Sequence, residues 1–242
     1  MKRKIVLALF CICAAVLSFL YQNAYAYSAG EFYGDEIPAD EAARLIAYYD
    51  LKLEHDDNRL KSIECFDVRE DGVIAVGSMQ MLSRAHISVY DEDFNFIYGY
   101  SFKSEGSYGI MWDGNEIAIY FVRGSVIIRV NENGEITAMN NAADQSLEQG
   151  KIDSAFCAAK REINGKVYQL GTAKGPFGIP LPATTYSTLC VSEGGESHLL
   201  IDESRVQVSR IIIIVSFVVI ALIVFIVLMV LRIKGRRLSH ER

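Results

Sequence analysis

The run Asp71-Gly72-Val73-Ile74-Ala75-Val76, followed by Ile87-Ser88-Val89-Tyr90, Asp91-Glu92-Asp93-Phe94 and Phe96-Ile97-Tyr98-Gly99-Tyr100, decides the fold class. An Asp-Gly pair supplies the positive-φ corner of a tight turn, and the short apolar run behind it is too brief for a helix and too rich in β-branched residues for a loop. Ile87 to Tyr90 repeats that texture. A polar turn at Asp91 to Phe94 separates it from the next run. There Phe94, Phe96, Tyr98, Tyr100 and Phe102 recur two residues apart, the spacing that puts side chains on one face of a strand. Short strands joined by turns predict antiparallel sheet, and an aromatic strand face predicts that something must cover it.

The pattern recurs twice more. Asp113-Gly114 precedes Ile117 to Val122, then Val126 to Val130, the turn Asn131-Glu132-Asn133-Gly134, and Ile136-Thr137-Ala138-Met139. Asn164-Gly165 precedes Val167 to Leu170, then Tyr186 to Val191, the turn Ser192-Glu193-Gly194-Gly195, and His198 to Ile201. The turn pairs lie 42 and then 51 residues apart, the second interval being stretched around Ala142 to Lys151. Such a period is that of a repeated four-stranded unit. Over residues 62–202 the unit resembles the broad β-propeller superfamily, including NHL and tryptophan-aspartate repeats. In those, an Asx-Gly turn leads to a strand and an x-Val-Tyr-Asp stretch leads to the outer hairpin. Ile87 to Asp91 carries the resemblance best. No unit has the Gly-His and Trp-Asp pairs of the tryptophan-aspartate class, and the lone Trp112 falls at an inner-strand position.

The resemblance implies an all-β domain of three propeller-like four-stranded units, where closed rings normally take four to eight blades. Two exposed sheet edges or an open core are then expected. A helix covering them within a monomer is preferred over two chains pairing into a six-unit homodimer.

Ahead of the strands, Pro38 and Asp40 mark a helix start, and Ala42, Leu45, Ile46, Tyr49 and Leu53 follow at helical spacing. One amphipathic helix over 39–53 is expected, packed against its own domain. Within the third unit, Gly175 to Pro182 holds three of the four prolines and predicts an irregular loop. A stiff, partly apolar loop on a strand scaffold suits binding, so Pro176, Phe177, Ile179, Pro180, Leu181 and Pro182 are the expected contact residues.

The ends of the chain speak to location. Lys2-Arg3-Lys4, the apolar run Ile5 to Leu20 and Ala24-Tyr25-Ala26 form the three parts of a secretory signal, with cleavage expected after Ala26. Ile211 to Leu231 has Ser216 as its only polar side chain and is long enough to cross a bilayer as a helix. Arg232, Lys234, Arg236, Arg237 and Arg242 follow it, which orients that end toward the cytoplasm. The expected organisation is a signal peptide (1–26), a lead-in with the helix (27–61), a strand-rich ectodomain (62–205), a juxtamembrane and transmembrane helix (206–231) and a basic tail (232–242). Residues 27–205 carry 29 Asp and Glu against 15 Lys and Arg. That acidity disfavours nucleic acid and anionic lipid headgroups as partners of the ectodomain. Cys65, Cys157 and Cys190 are too few for a disulfide framework and read mostly as buried small apolar side chains, with one bridge among them as the alternative.

Metalloprotease, nucleophile-elbow, phosphate-cradling and paired-cysteine zinc motifs are absent, and His55, His86, His198 and His240 lack ligand spacing. His55-Asp56-Asp57-Asn58 and Asp91-Glu92-Asp93 read as solvated loops. No catalytic residue, cofactor or metal site is expected. The sequence supports a membrane-anchored extracytoplasmic binding or assembly module with a protein partner at the cell surface or in the membrane. A tethered hydrolase using carboxylates of the β domain is the alternative.

Overall fold

The computed structural model describes residues 27–58, 62–80, 84–143, 145–173 and 186–205, with scattered residues between 208 and 220. The described chain is mostly β. In order it runs β1 (Tyr33–Glu36), α1 (Ala39–Tyr49), β2 (Lys52–Glu54), β3 (Cys65–Val68), β4 (Ile74–Gln80), β5 (Arg84–Tyr90), β6 (Phe96–Lys103), β7 (Tyr108–Asp113), β8 (Glu116–Phe121), β9 (Val126–Val130), β10 (Ile136–Ala142), α2 (Gln145–Phe156), β11 (Lys160–Ile163), β12 (Lys166–Gly171), β13 (Thr188–Glu193) and β14 (Glu196–Asp202).

Three antiparallel sheets result, with strand orders β2-β6-β5-β4-β3, β1-β10-β9-β8-β7 and β11-β12-β13-β14. Each contains four consecutive strands in up-and-down order. The Asx-Gly pairs make the turns after β3, β7 and β11, and Gly72, Gly114 and Gly165 hold φ of +90°, +62° and +76°, where a side chain would be strained. Those three edge strands themselves were not visible as separate runs.

The sheets stack face to face. Between the first two lies the largest apolar cluster, which includes Ile87, Tyr100 and Phe102 from one side and Tyr108, Ile119, Phe121 and Ile128 from the other. The opposite face of the first sheet packs Phe66, Ile74, Val76 and Tyr90 on Tyr168, Leu170, Leu189 and Ile201 of the third. The first sheet is thus buried on both faces, which is why β3 is buried at every position. The second sheet's other face is closed by Ala29 and Phe32 of a short 3-10 turn and by Ile152, Ala155 and Phe156 of α2.

The β6 aromatics expected on one face are divided by a register irregularity between Phe96 and Tyr98. Tyr98, Tyr100 and Phe102 pack toward the second sheet, whereas Phe94 and Phe96 pack with the cluster facing the third, so both sets are covered inside the chain. Phe102 makes edge-to-face contacts with Tyr108 and Phe121 at 5.1 and 5.5 Å, and the Tyr100 hydroxyl donates to the Asn131 carbonyl at 2.6 Å. Phe94, in a left-handed conformation, turns back to stack on Tyr90.

Several expectations need correction. The helix predicted over 39–53 ends at Tyr49, because Asp50 adopts the left-handed conformation. Its carboxylate pairs with Lys52 and Arg84 at 3.2 and 3.6 Å, and Leu53 leaves the helical face to pair with Tyr100 on β6. The lead-in therefore supplies two strands, β1 and β2, as fifth strands of two sheets. A second helix, α2, occupies the stretched interval between the second and third units. The last strand pair begins at Thr188, with Tyr186 forming an isolated bridge to Ile63. The predicted signal peptide lies outside the described residues, as does most of Ile211 to Leu231. Among the described residues no helix is long and apolar enough to cross a membrane.

Candidate binding cavity at the inner edges

The three strands that precede the Asx-Gly turns are the edge strands of their sheets, and β3 packs against both β7 and β11. Their meeting point is held by Asp67. One of its carboxylate oxygens accepts the Trp112 backbone N–H of β7 at 2.7 Å, and the other accepts Arg161 Nε of β11 at 2.6 Å. The Val68 N–H is a third donor to the same carboxylate. Arg161 also donates to the Ala155 carbonyl at the end of α2. One buried carboxylate therefore ties together all three sheets and a helix.

The side chains of Asp67 and Arg161 are only 8% and 14% exposed, so the pair is desolvated. Burial pushes the Asp67 carboxyl above the ordinary carboxylate range, against the opposing pull of Arg161 and the Trp112 N–H. Cys65 sits on the same strand two residues earlier and accepts the Ile110 N–H at its sulfur. Together Cys65 and Asp67 occupy the free amides of β7, and the Cys157 thiol leans on the Tyr108 carbonyl of the same edge at 3.8 Å. Those side chains do for β7 what a neighbouring strand would do. No disulfide joins Cys65, Cys157 and Cys190. Burial raises the Cys65 pKa well above its ordinary value and that of Cys157 to about 11.

A cavity of about 790 Å³ opens at the C-terminal ends of β3 and β7, alongside β11. Its wall includes Asp67, Arg69, Asp71, Trp112, Lys160 and Glu162. Arg69 makes a two-pronged pair with Asp71 at 2.8 and 2.7 Å and lies 4.7 Å over the Trp112 ring. That cation over the aromatic face fixes the indole plane. The Trp112 Nε1–H is buried with no acceptor among the described residues. Lys160, Glu162 and Asn115 also line the cavity, and their side chains have no polar partner among the described residues. The volume lies in the range of small-molecule and short-peptide sites.

The contact residues expected from sequence, Pro176, Phe177, Ile179, Pro180, Leu181 and Pro182, fall outside the described residues. Their flanks are placed: Tyr186 pairs with Ile63 just before β3, and the Ser187 N–H donates to the Gly171 carbonyl. That is the opposite end of β3 from the cavity. The two acidic loops are engaged internally. Asp91 accepts the N–H groups of Asp93 and Asn95 and the Asn95 amide within its own turn. Asp57 accepts the hydroxyls of Ser88 and Tyr90 at 3.1 and 2.8 Å, strapping the loop after β2 to β5. No group of three or more metal-ligating side chains gathers among the described residues.

Sequence reasoning placed Trp112 on an inner strand but missed Asp67, Arg69 and Arg161. The available signal was Asp67 itself, a carboxylate set between Phe66 and Val68 in a run that is otherwise apolar, where a buried charge requires a partner. Compared with known proteins, the chain matches no protein-family model and no curated protein.

Proposed function

We propose that the chain is an exported, membrane-anchored binding module whose three blade-like units converge on the cavity, which is the binding site. The observation that carries this reading is the set of uncommitted polar side chains in the cavity wall, Lys160, Glu162 and Asn115. A wall with unused donors and acceptors of both charges is suited to a polar ligand. Asp67, by contrast, is the only buried carboxylate among the described residues and is taken by three donors. Its role is structural, which favours binding over hydrolysis.

Location supports the same reading. The described residues of the apolar segment, Ile212, Ile213, Ser216, Phe217 and Ile220, are helical, and their large apolar side chains are exposed. The Ser216 hydroxyl donates to the Ile212 carbonyl at 2.8 Å, so the segment's one polar side chain is satisfied by its own helix, as a bilayer demands. The chain leaves the sheets at Asp202, which pairs with Thr188 at the Ile63 end of β3. The cavity lies at the other end. An anchored domain would therefore present the cavity away from the bilayer.

The test is a binding panel of amino acids, sugars, nucleotides and short peptides against the full chain in detergent micelles, read by thermal shift and repeated with Asn115→Trp. Asn115 is an exposed turn residue on the cavity rim, so the bulky replacement blocks the site without touching the core. At least one class should stabilise the parent chain and lose its effect in the variant. Stabilisation that survives Asn115→Trp for every class that binds would refute the assignment.

A further inference from the structure

Resting on that reading, we propose that the cavity's occupant is an extended peptide that adds a strand to the free edge of β11. The three inner edges are not equivalent. On β7, the Ile110 and Trp112 amides are taken by Cys65 and Asp67, and on β3 the Val68 amide is taken by Asp67. On β11 the alternation of the ladder leaves a different result. The Leu170 N–H donates to the Ala159 carbonyl at 2.8 Å, and Ile163 and Lys166 flank the two-residue turn at Asn164-Gly165. The hydrogen-bonded positions of an antiparallel pair alternate, so Ala159, Arg161 and Ile163 face β12. Lys160 and Glu162 then direct their N–H and C=O groups outward.

Both residues line the cavity, and no backbone partner takes those groups among the described residues. An unpaired strand edge is a template for another strand, and a cavity wall is where such an edge is sheltered from unwanted pairing. Two further features fit a peptide. The Lys160 and Glu162 side chains are of opposite charge and both unpaired, so a bound segment with alternating acidic and basic residues would find complementary partners. The end of β11 is also held still, since the Asn164 side-chain amide donates to the Glu70 carbonyl at 2.7 Å, tying the turn to the end of β3. A pre-ordered edge spends less of the binding energy on ordering itself.

The probe is a bead library of pentapeptides, acetylated and amidated so that chain ends play no part, screened against the full chain in lipid nanodiscs. Hits are remade with N-methyl groups on alternate amides. The set of amides that faces β11 should lose at least tenfold in affinity on N-methylation, and the other set should change little. The double exchange Lys160→Glu with Glu162→Lys, both at solvent-accessible positions, should reverse the preferred charge order in the peptide. Hits indifferent to N-methylation in either set, or hits that keep their affinity in Asn115→Trp, would overturn the inference. So would an absence of hits. If, in that case, a sugar, nucleotide or amino acid still stabilises the chain through Asn115, the binding cavity stands and only the peptide occupant falls. If nothing binds through Asn115, both readings fail.

Discussion

Replacing Arg161 with Met tests the node on which the three sheets meet. The variant removes the guanidinium that contacts Asp67 at 2.6 Å and the Ala155 carbonyl, and leaves a carboxylate whose side chain is 8% exposed facing no cation. Breaking a buried pair on one side costs about 3–5 kcal/mol. For a folded region of this size that amounts to a fall in Tm of roughly 6–20 °C. Trp112 is the only tryptophan and hydrogen-bonds Asp67 directly through its backbone, so its fluorescence reports unfolding from the site of the change.

The pH dependence follows from the same carboxyl. In the parent chain Asp67 already titrates above its ordinary 3.8, so the folded state holds that proton more tightly than the unfolded state does. Its favourable contribution is present below 3.8 and is lost as pH rises through the folded pKa. Removing Arg161 raises the folded pKa further. The variant's deficit should be full above its own Asp67 pKa and shrink by about 1.4 kcal/mol per unit as pH falls toward the parent's value. Adding Asp67→Asn to Arg161→Met should recover about 2 kcal/mol at pH 7, because the charge is gone while an acceptor for the Trp112 N–H remains. Chemical unfolding of the full chain in detergent supplies these numbers. A loss below about 1 kcal/mol at pH 7, or a deficit that does not change with pH, would refute the reasoning.

Tyr49→Ala should destabilise by about 3–5 kcal/mol, because the ring stacks on Phe121 at 3.9 Å and is 5% exposed; a neutral result in chemical unfolding would mean that α1 does not hold the first two sheets. Gly77→Ala should cost about 1–3 kcal/mol, since a Cβ there would meet Cys65 Sγ at 2.5 Å and the Tyr108 hydroxyl at 2.9 Å. Combining it with Cys65→Ala should return part of that loss, and no recovery would point to the tyrosine as the obstacle. Cys65 and Cys157, whose thiols burial keeps protonated, should resist iodoacetamide at pH 8 until the chain is unfolded. Peptide mass spectrometry checks this, and rapid labelling of either in the native chain would contradict the burial.

The sequence disclosed elements wherever local chemistry decides them. Asp71-Gly72, Asp113-Gly114 and Asn164-Gly165 mark turns because only certain residues tolerate the left-handed corner, and the runs behind them are short, β-branched and apolar. It also showed that the β6 aromatics needed cover. Three features stayed hidden because they are set by distant partners. Leu53 continues a helical spacing, yet Asp50 breaks the helix and β6 recruits the next residues as an edge strand. The segment before Ile152 lacks an apolar stripe, so α2 becomes visible only through Ile152, Ala155 and Phe156 docking on the second sheet. The Asp67 node joins residues 45 and 94 positions apart, and no local periodicity encodes such a pairing. Tyr186, the described flank of the expected proline-rich loop, and the cavity also lie toward opposite ends of β3, a relation that strand registers reveal and composition does not.

The most direct test of an outward-facing cavity on an anchored domain is labelling with a membrane-impermeant maleimide in intact cells. Two single-site variants are compared in a Cys190→Ser background: Asn115→Cys at the cavity rim and Ser239→Cys in the basic tail. The account predicts labelling of Asn115→Cys in intact cells and of Ser239→Cys only after lysis. Labelling of the tail position from outside, with the cavity position protected until lysis, would contradict it.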